Sequence, residues 1–177
     1  LPRVDRVVFA HGVFTDRPAF LGSEELQHRI NATAVRWFCE ASVRPGRLVL
    51  VGSHAWRRAS VASVHRSTGL AAYRASKRLL FLYGLQLAER GWDVHTVHPG
   101  VVRTEIARDA CFWTRLAYRA LQGLVGVSPE QAASTVERLV IEPALAVPSG
   151  TYWYERTPHP ELARAHRDEA RALRWVA

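Results

Sequence analysis

Residues 71–100 read AAYRASKRLLFLYGLQLAERGWDVHTVHPG, and this stretch decides the fold. Ala71 to Arg90 contains no proline and only Gly84 as a glycine, is rich in good helix formers, and meets a stop at Gly91. Trp92 to Val97 is a short apolar run of buried-strand type, cut off by His98-Pro99-Gly100. A helix feeding a buried strand is the repeating step of a parallel sheet, and the same step recurs on both sides of it.

Upstream, Arg47 to Gly52 (RLVLVG) reads as a second buried strand, with Ser53 at its C-terminal end. Val4 to Ala10 (VDRVVFA) reads as a third, ending at His11-Gly12. Between them, Ser23-Glu24-Glu25 places acids in the first turn of a helix that runs to about Ser42. Leu26, Ile30, Ala34, Trp37 and Phe38 would lie near one face of it, and Pro45-Gly46 ends it. Residues 54–70 read as a polar loop. Downstream, Ile106 to Val125 is a looser amphipathic helix rich in aromatic and leucine residues. Ser128-Pro129-Glu130-Gln131 has the cap, proline and glutamine of a helix start, and that helix runs to about Glu142. Thr151 to Tyr154 is a last short strand and Glu161 to Trp175 a terminal helix. The order predicts an α/β fold, a parallel sheet with helices on both faces, and no break that would divide 1–177 into two domains. Ligands bind such sheets at the C-terminal ends of the strands. Gly12, Ser53 and Pro99-Gly100 all fall at such ends.

The composition narrows the function. Apolar residues make up 48% of the chain, yet no apolar run reaches the ~18 residues of a membrane span. The start has no basic-then-apolar leader. The two cysteines, Cys39 and Cys111, form no zinc pattern, and they read as thiols in a reducing, cytoplasmic setting. The net charge of +8 raises nucleic acid as a partner, but the bases are scattered, mixed with acids and not interleaved with stacking aromatics. Of the 24 bases one is a lysine, Lys77. Arginine cannot replace a compact ammonium on a thin stem, so a lone lysine in an arginine background marks a position that needs lysine chemistry.

Tyr73 and Lys77 stand four apart on the helix 71–90. That spacing stacks side chains on one face. A nearby cation lowers a phenol's pKa, and a phenol so tuned can exchange a proton with a carbinol oxygen. Ser53 offers a hydroxyl from a strand end. Asn31, a poor helix former in mid-helix, could hold a water for proton relay. Each feature alone is common. A Tyr/Lys pair at this spacing arises often, and a mid-helix Asn is usually just solvated.

Together they resemble the short-chain dehydrogenase/reductase family. Tyr73-Arg-Ala-Ser-Lys77 resembles its YxxSK signature, with Gly52-Ser53 and Asn31 upstream in the family's order. His98-Pro-Gly-Val-Val-Arg-Thr104 resembles its PGxVxT segment. HPGVVRTE, SPEQAA, Glu142-Pro143, SGTYWYE and Trp175 look like the retinol dehydrogenase and WW-domain oxidoreductase branch. The resemblance implies a Rossmann-type fold and an NAD- or NADP-dependent oxidoreductase interconverting an alcohol and a carbonyl. Tyr73 would be the acid/base, Lys77 would lower its pKa and hold the nicotinamide ribose, Ser53 would orient the substrate, and Asn31 would complete the relay. Ala10, Gly12, Tyr73, Lys77, Pro99, Gly100, Val101, Val102 and Thr104 would line the cofactor. No metal is implied. A homodimer is implied, through the helices at 24–42 and 71–90. Phe112 to Val125 falls where the family covers its substrate, and its side chains suggest an apolar alcohol or ketone; they equally suit packing on the sheet, and contact with a membrane surface is the weaker reading.

The sequence departs from the family at two places. Phe9-Ala10-His11-Gly12 stands where the family has NNAG; His11 either hydrogen-bonds in place of the lost asparagines or is a plain loop residue. No Gly-rich turn opening a helix, which holds the cofactor pyrophosphate, is found. With Leu1 and no methionine, the chain reads as the C-terminal catalytic part of the fold, lacking its N-terminal strands. The alternative is a truncated homologue without redox activity, working as a non-redox acid/base catalyst or a binding module.

Overall fold

The structure, a computed structural model, describes residues 4–41, 44–59 and 67–175. Residues 60–66 of the expected 54–70 loop lie outside the described residues. The strands are β1 (Arg6–Phe9), β2 (Phe20–Leu21), β3 (Glu24–Glu25), β4 (Arg47–Val51), β5 (Val94–His98), β6 (Val101–Val102), β7 (Gly126–Val127), β8 (Tyr152–Tyr154) and β9 (Thr157–His159). The helices are α1 (Leu26–His28), α2 (Ala34–Ala41), α3 (Gly69–Glu89), α4 (Phe112–Val125), α5 (Pro129–Ile141), α6 (Pro160–Ala165) and α7 (Arg167–Ala172). A π-helical turn, Arg29–Thr33, joins α1 to α2, and His54–Arg58 is a 3₁₀ turn.

The main sheet runs β1-β4-β5-β8-β9. Its first three pairings are parallel, and β9 closes it antiparallel to β8. The alternation of side chains along each strand builds two cores. Leu48, Leu50, Val94 and Tyr152 pack with α3 on one side. Val49, Val97 and Trp153 pack with Leu139 of α5 on the other. The helix α3 sits close to the sheet because Gly84 has no side chain; a Cβ there would meet Thr96 Oγ1 at 3.1 Å and Leu50 Cδ1 at 3.2 Å.

The expected α/β sheet is present, with four differences. The segment Ser23-Glu24-Glu25 does not open a helix. Glu24 and Glu25 pair with β2, and Glu25 caps α1 by accepting from the Gln27 and His28 backbone N–H groups. Trp37 and Phe38 do not join a buried stripe and are exposed. The π turn adds a residue to its turn and shifts the downstream face, so α2 buries Val35 and Cys39 instead. The last strand gains a partner, β9, through a turn in which Glu155 has φ 51°. The terminal helix is split at His166 into α6 and α7. The expected helix at 128–142 is found as α5, with its Ser128–Gln131 capping box formed in both directions.

Arg47 locks the two layers at the far end from the candidate site. Its buried guanidinium donates to Asp93 Oδ2 at 2.8 Å and to the carbonyls of Leu139 at 2.9 Å and Glu142 at 2.6 Å, at the C-terminus of α5. A cation suits the unpaired carbonyls that end a helix. Removing it leaves those carbonyls and the Asp93 carboxylate without their donor. Arg47→Ala is expected to cost about 3 kcal/mol of stability in a denaturant melt; a loss of only a few tenths would show that water replaces the guanidinium.

Candidate active site

Ser53 follows β4 and caps the 3₁₀ turn, its hydroxyl accepting from Ala55 N at 3.3 Å. Trp56 anchors this turn to α3 by stacking on Phe81 with centroids 4.6 Å apart. The position of Ser53 therefore comes from an aromatic contact one turn away. Its hydroxyl lies near the Tyr73 phenol, which projects from the second turn of α3. The Phe14 ring meets Tyr73 edge-on at 5.4 Å. Burial pushes the Tyr73 phenol up to about 12, partly countered by the neighbouring Ser53 hydroxyl.

Lys77 lies one turn further along α3 and is buried. Its ammonium donates to the Val51 carbonyl at the end of β4, at 3.1 Å. Burial brings its pKa down from 10.5 to about 8. Across from it sits Gly12, where a Cβ would come within 3.2 Å of Lys77 Nζ and 3.4 Å of Asn31 Oδ1. The missing side chain leaves a cradle in front of the ammonium.

Asn31 is buried on the π turn. Its amide accepts from Val13 N at 2.8 Å and donates to Val13 O at 3.0 Å and Ser76 Oγ at 3.0 Å. Ser76 in turn donates to Tyr73 O at 2.8 Å. The Asn31 side chain is thus occupied in fastening the loop after β1 onto the helices. His11 also takes part, its Nε2 lying 2.8 Å from the Ile30 carbonyl. His11 thus has a hydrogen-bond partner in the loop that it occupies.

One expectation is corrected. Lys77 does not pull the Tyr73 phenol down. Burial dominates both groups, and the ammonium is turned toward Val51 O rather than the phenol. The Tyr73 pKa therefore stands above, not below, its ordinary value.

The segment after β5 is pinned to α4. Val101 and Val102 pair with Gly126 and Val127 as β6 and β7. Gln122 donates to Val102 O at 2.9 Å and Thr104 O at 3.0 Å. Pro99 and Gly100 are buried, Gly100 with φ 97°, while Ala10 and Thr104 are exposed. Several residues were missed in the sequence. His54, His98 and Tyr154 gather where β4, β5 and β8 end, with ring centroids 5.2–6.0 Å apart. Burial, then the His54 and Lys77 charges, hold His98 down at about 4. Tyr118 of α4 is close enough to raise the Tyr73 pKa. Their strand-end positions were the available signal for His54 and Tyr154.

The lysine supplies a test. Below about pH 8 Lys77 is protonated whether the chain is folded or not, and the cost of burying the charge is present in full. Between about 8 and 10.5 the unfolded chain binds more protons, so the Lys77 contribution to stability rises with pH. Lys77→Met is expected to be more stable than the parent at pH 7 by on the order of 1–2 kcal/mol, with the gap closing toward pH ~10. A gap that does not change with pH would contradict a buried, charged Lys77.

No family model matches the chain. The mouse polyprenol dehydrogenase is 34% identical over 147 residues, which are 77% of this chain and 44% of that protein. The chain thus spans under half the length of this curated relative. Among solved structures, a short-chain dehydrogenase/reductase from Saccharomyces cerevisiae superposes with a TM-score of 0.62 at 19% identity, over 92% of this chain and 69% of that one. The angucycline C-6 ketoreductase LanV with bound NADP gives 0.56 at 21% identity, over 86% and 61%. The sheet order, the strand-end site and these likenesses support assignment of the chain to the short-chain dehydrogenase/reductase family.

Proposed function

We propose that the chain is the catalytic part of an NAD- or NADP-dependent oxidoreductase that interconverts an apolar alcohol and its carbonyl. The observation that carries this reading is the buried Lys77 facing the Gly12 cradle at the sheet's C-terminal ends, with Ser53 near the Tyr73 phenol on the same side. Solved relatives include a ketoreductase with bound NADP.

The residues present fit the nicotinamide end of such a cofactor. Lys77 spends one donor on Val51 O, and its other two have no partner among the described residues. They would donate to the ribose hydroxyls, with Gly12 leaving the space, and Pro99 to Thr104 would hold the nicotinamide end. When bound, the nicotinamide supplies or takes up the hydride at the carbinol carbon. The chain's own residues handle the oxygen. Ser53 donates to it and fixes its position. Tyr73 gives it a proton in reduction and recovers that proton in oxidation. A phenol held near 12 keeps its proton at neutral pH, which is the state needed to protonate a carbonyl oxygen. Asn31 serves the relay by holding the loop of Gly12 and Val13 in place.

The substrate side of the reading rests on α4. It is rich in Phe, Trp and Leu, its Tyr118 is close enough to raise the Tyr73 pKa, and the mouse relative is named for a polyprenol. A long apolar alcohol suits both facts. The nearer likeness to retinol dehydrogenases and the cytoplasmic setting stay within the proposal. So does a homodimer, for which the exposed Trp37 and Phe38 of α2 are the supporting surface. The outer face of α3 is covered by α7 through the Arg78–Glu169 pair, so pairing would fall to α2.

The test is a titration of NADPH and NADH followed by nicotinamide fluorescence, with turnover of a polyprenol measured alongside. Cofactor binding should weaken at least ~10-fold in Lys77→Ala, and turnover should fall ~10²-fold or more in Tyr73→Phe with binding kept. A folded chain that binds neither cofactor, in the presence of an otherwise intact site, would favour the non-redox alternative.

A further inference from the structure

The helix α4 is built inside out. Its inward face carries Thr114, Tyr118 and Gln122, spaced by four and half-buried. Thr114 donates to Asp16 Oδ2 at 2.6 Å, and Gln122 to the Val102 and Thr104 carbonyls. Asp16 also accepts from Cys111 N at 3.0 Å, fixing the start of the helix, and these hydrogen bonds hold its carboxyl down at about 2. No residue of α4 is buried. Its apolar side chains face solvent: Phe112 is 60% exposed, Trp113 74%, Leu124 84%, with Leu116, Leu121 and Val125 beside them. An ordinary surface helix shows the opposite arrangement.

The charges select what covers this face. From Ala110 to Pro129 there is no acid, and the exposed bases Arg115 and Arg119 lie on the flank between the polar and apolar faces. Large apolar and aromatic side chains on one side, arginines at the border and a polar remainder are the features of a helix that lies in a bilayer interface. A second copy fits less well: a two-fold pairing of this face would bring the arginines of both copies together around an apolar seam. Among the described residues no helix is long and apolar enough to cross a membrane. The contact is therefore one of lying on a surface.

We propose that α4 docks the chain on an anionic phospholipid surface, with Phe112, Trp113, Leu116 and Leu124 in the acyl boundary and Arg115 and Arg119 at the headgroups. The inner face of α4 is fastened through Thr114 to Asp16, on the loop whose Phe14 meets Tyr73, so a docked helix places the candidate site near the membrane that dissolves a long apolar alcohol. That last step rests on the proposed function; the docking itself does not.

The experiment is co-sedimentation of the full chain with vesicles of phosphatidylcholine alone and of phosphatidylcholine mixed with phosphatidylglycerol. Binding to the mixed vesicles is expected, weaker on the neutral ones and weaker as salt rises. Trp113→Glu/Leu124→Glu should lower the bound fraction at least ~10-fold, and Arg115→Glu/Arg119→Glu should abolish the preference for anionic vesicles. Both pairs of positions are exposed, so melting curves should match the parent. Tyr73→Phe, which tests the redox reading, should bind vesicles like the parent. No vesicle binding by the parent overturns the proposal, as does binding that the Trp113→Glu/Leu124→Glu variant retains. Concentration-dependent self-association abolished by that variant, without vesicle binding, would assign the face to a second copy and overturn it too.

Discussion

A buried ammonium with no carboxylate beside it among the described residues organises this structure. Lys77 is held at the end of β4 by a single carbonyl, in a space kept open by Gly12 and bordered by Asn31. Burying a cation this way opposes folding. The fold tolerates it because the surroundings are over-determined: Trp56 pins the turn after Ser53, Gly84 lets α3 sit against the sheet, and Asn31 ties the loop after β1 to Ser76 on the same helix. Stability is concentrated at the other end of the sheet, where Arg47 joins β4 to α5. Such separation of a strained, functional end from a tightly satisfied one is a common arrangement in parallel sheets.

Much of this was legible in the residues. The apolar runs at 47–52 and 92–97 and the uninterrupted helix formers between them imposed a strand–helix–strand step. Strand ends then had to bring Gly12, Ser53 and Pro99 to one side. The lone lysine among arginines pointed to the site without any knowledge of geometry. Other features were not legible, for physical reasons. The π turn at Arg29–Thr33 depends on tertiary fit around Asn31, and it displaced the buried face expected for Trp37 and Phe38. The β9 strand contains Pro158, which a strand accepts only at an edge, so local preference argued against it. Spacing placed Tyr73 and Lys77 on one face but said nothing about where a four-carbon stem would send the ammonium. Hence the sign of the Tyr73 shift was missed.

The helix α4 links the site to its surroundings. Asp16, on the loop after β1, holds its N-terminus, and Gln122 holds the segment after β5. The first connection runs to the loop whose Phe14 meets Tyr73. The polar contacts that fasten α4 leave its apolar residues outside, so one helix both borders the reacting groups and offers a surface to a membrane.

The most direct measurement follows from there being one lysine in 177 residues. With ¹⁵Nζ- or ¹³Cε-labelled lysine the NMR spectrum of the chain carries one side-chain signal, free of any assignment problem. Lys77 is expected to titrate at about 8 in the folded chain and to return toward 10.5 on unfolding. A folded-state titration at the ordinary value would mean that the ammonium is in water, and the buried site described here would not exist.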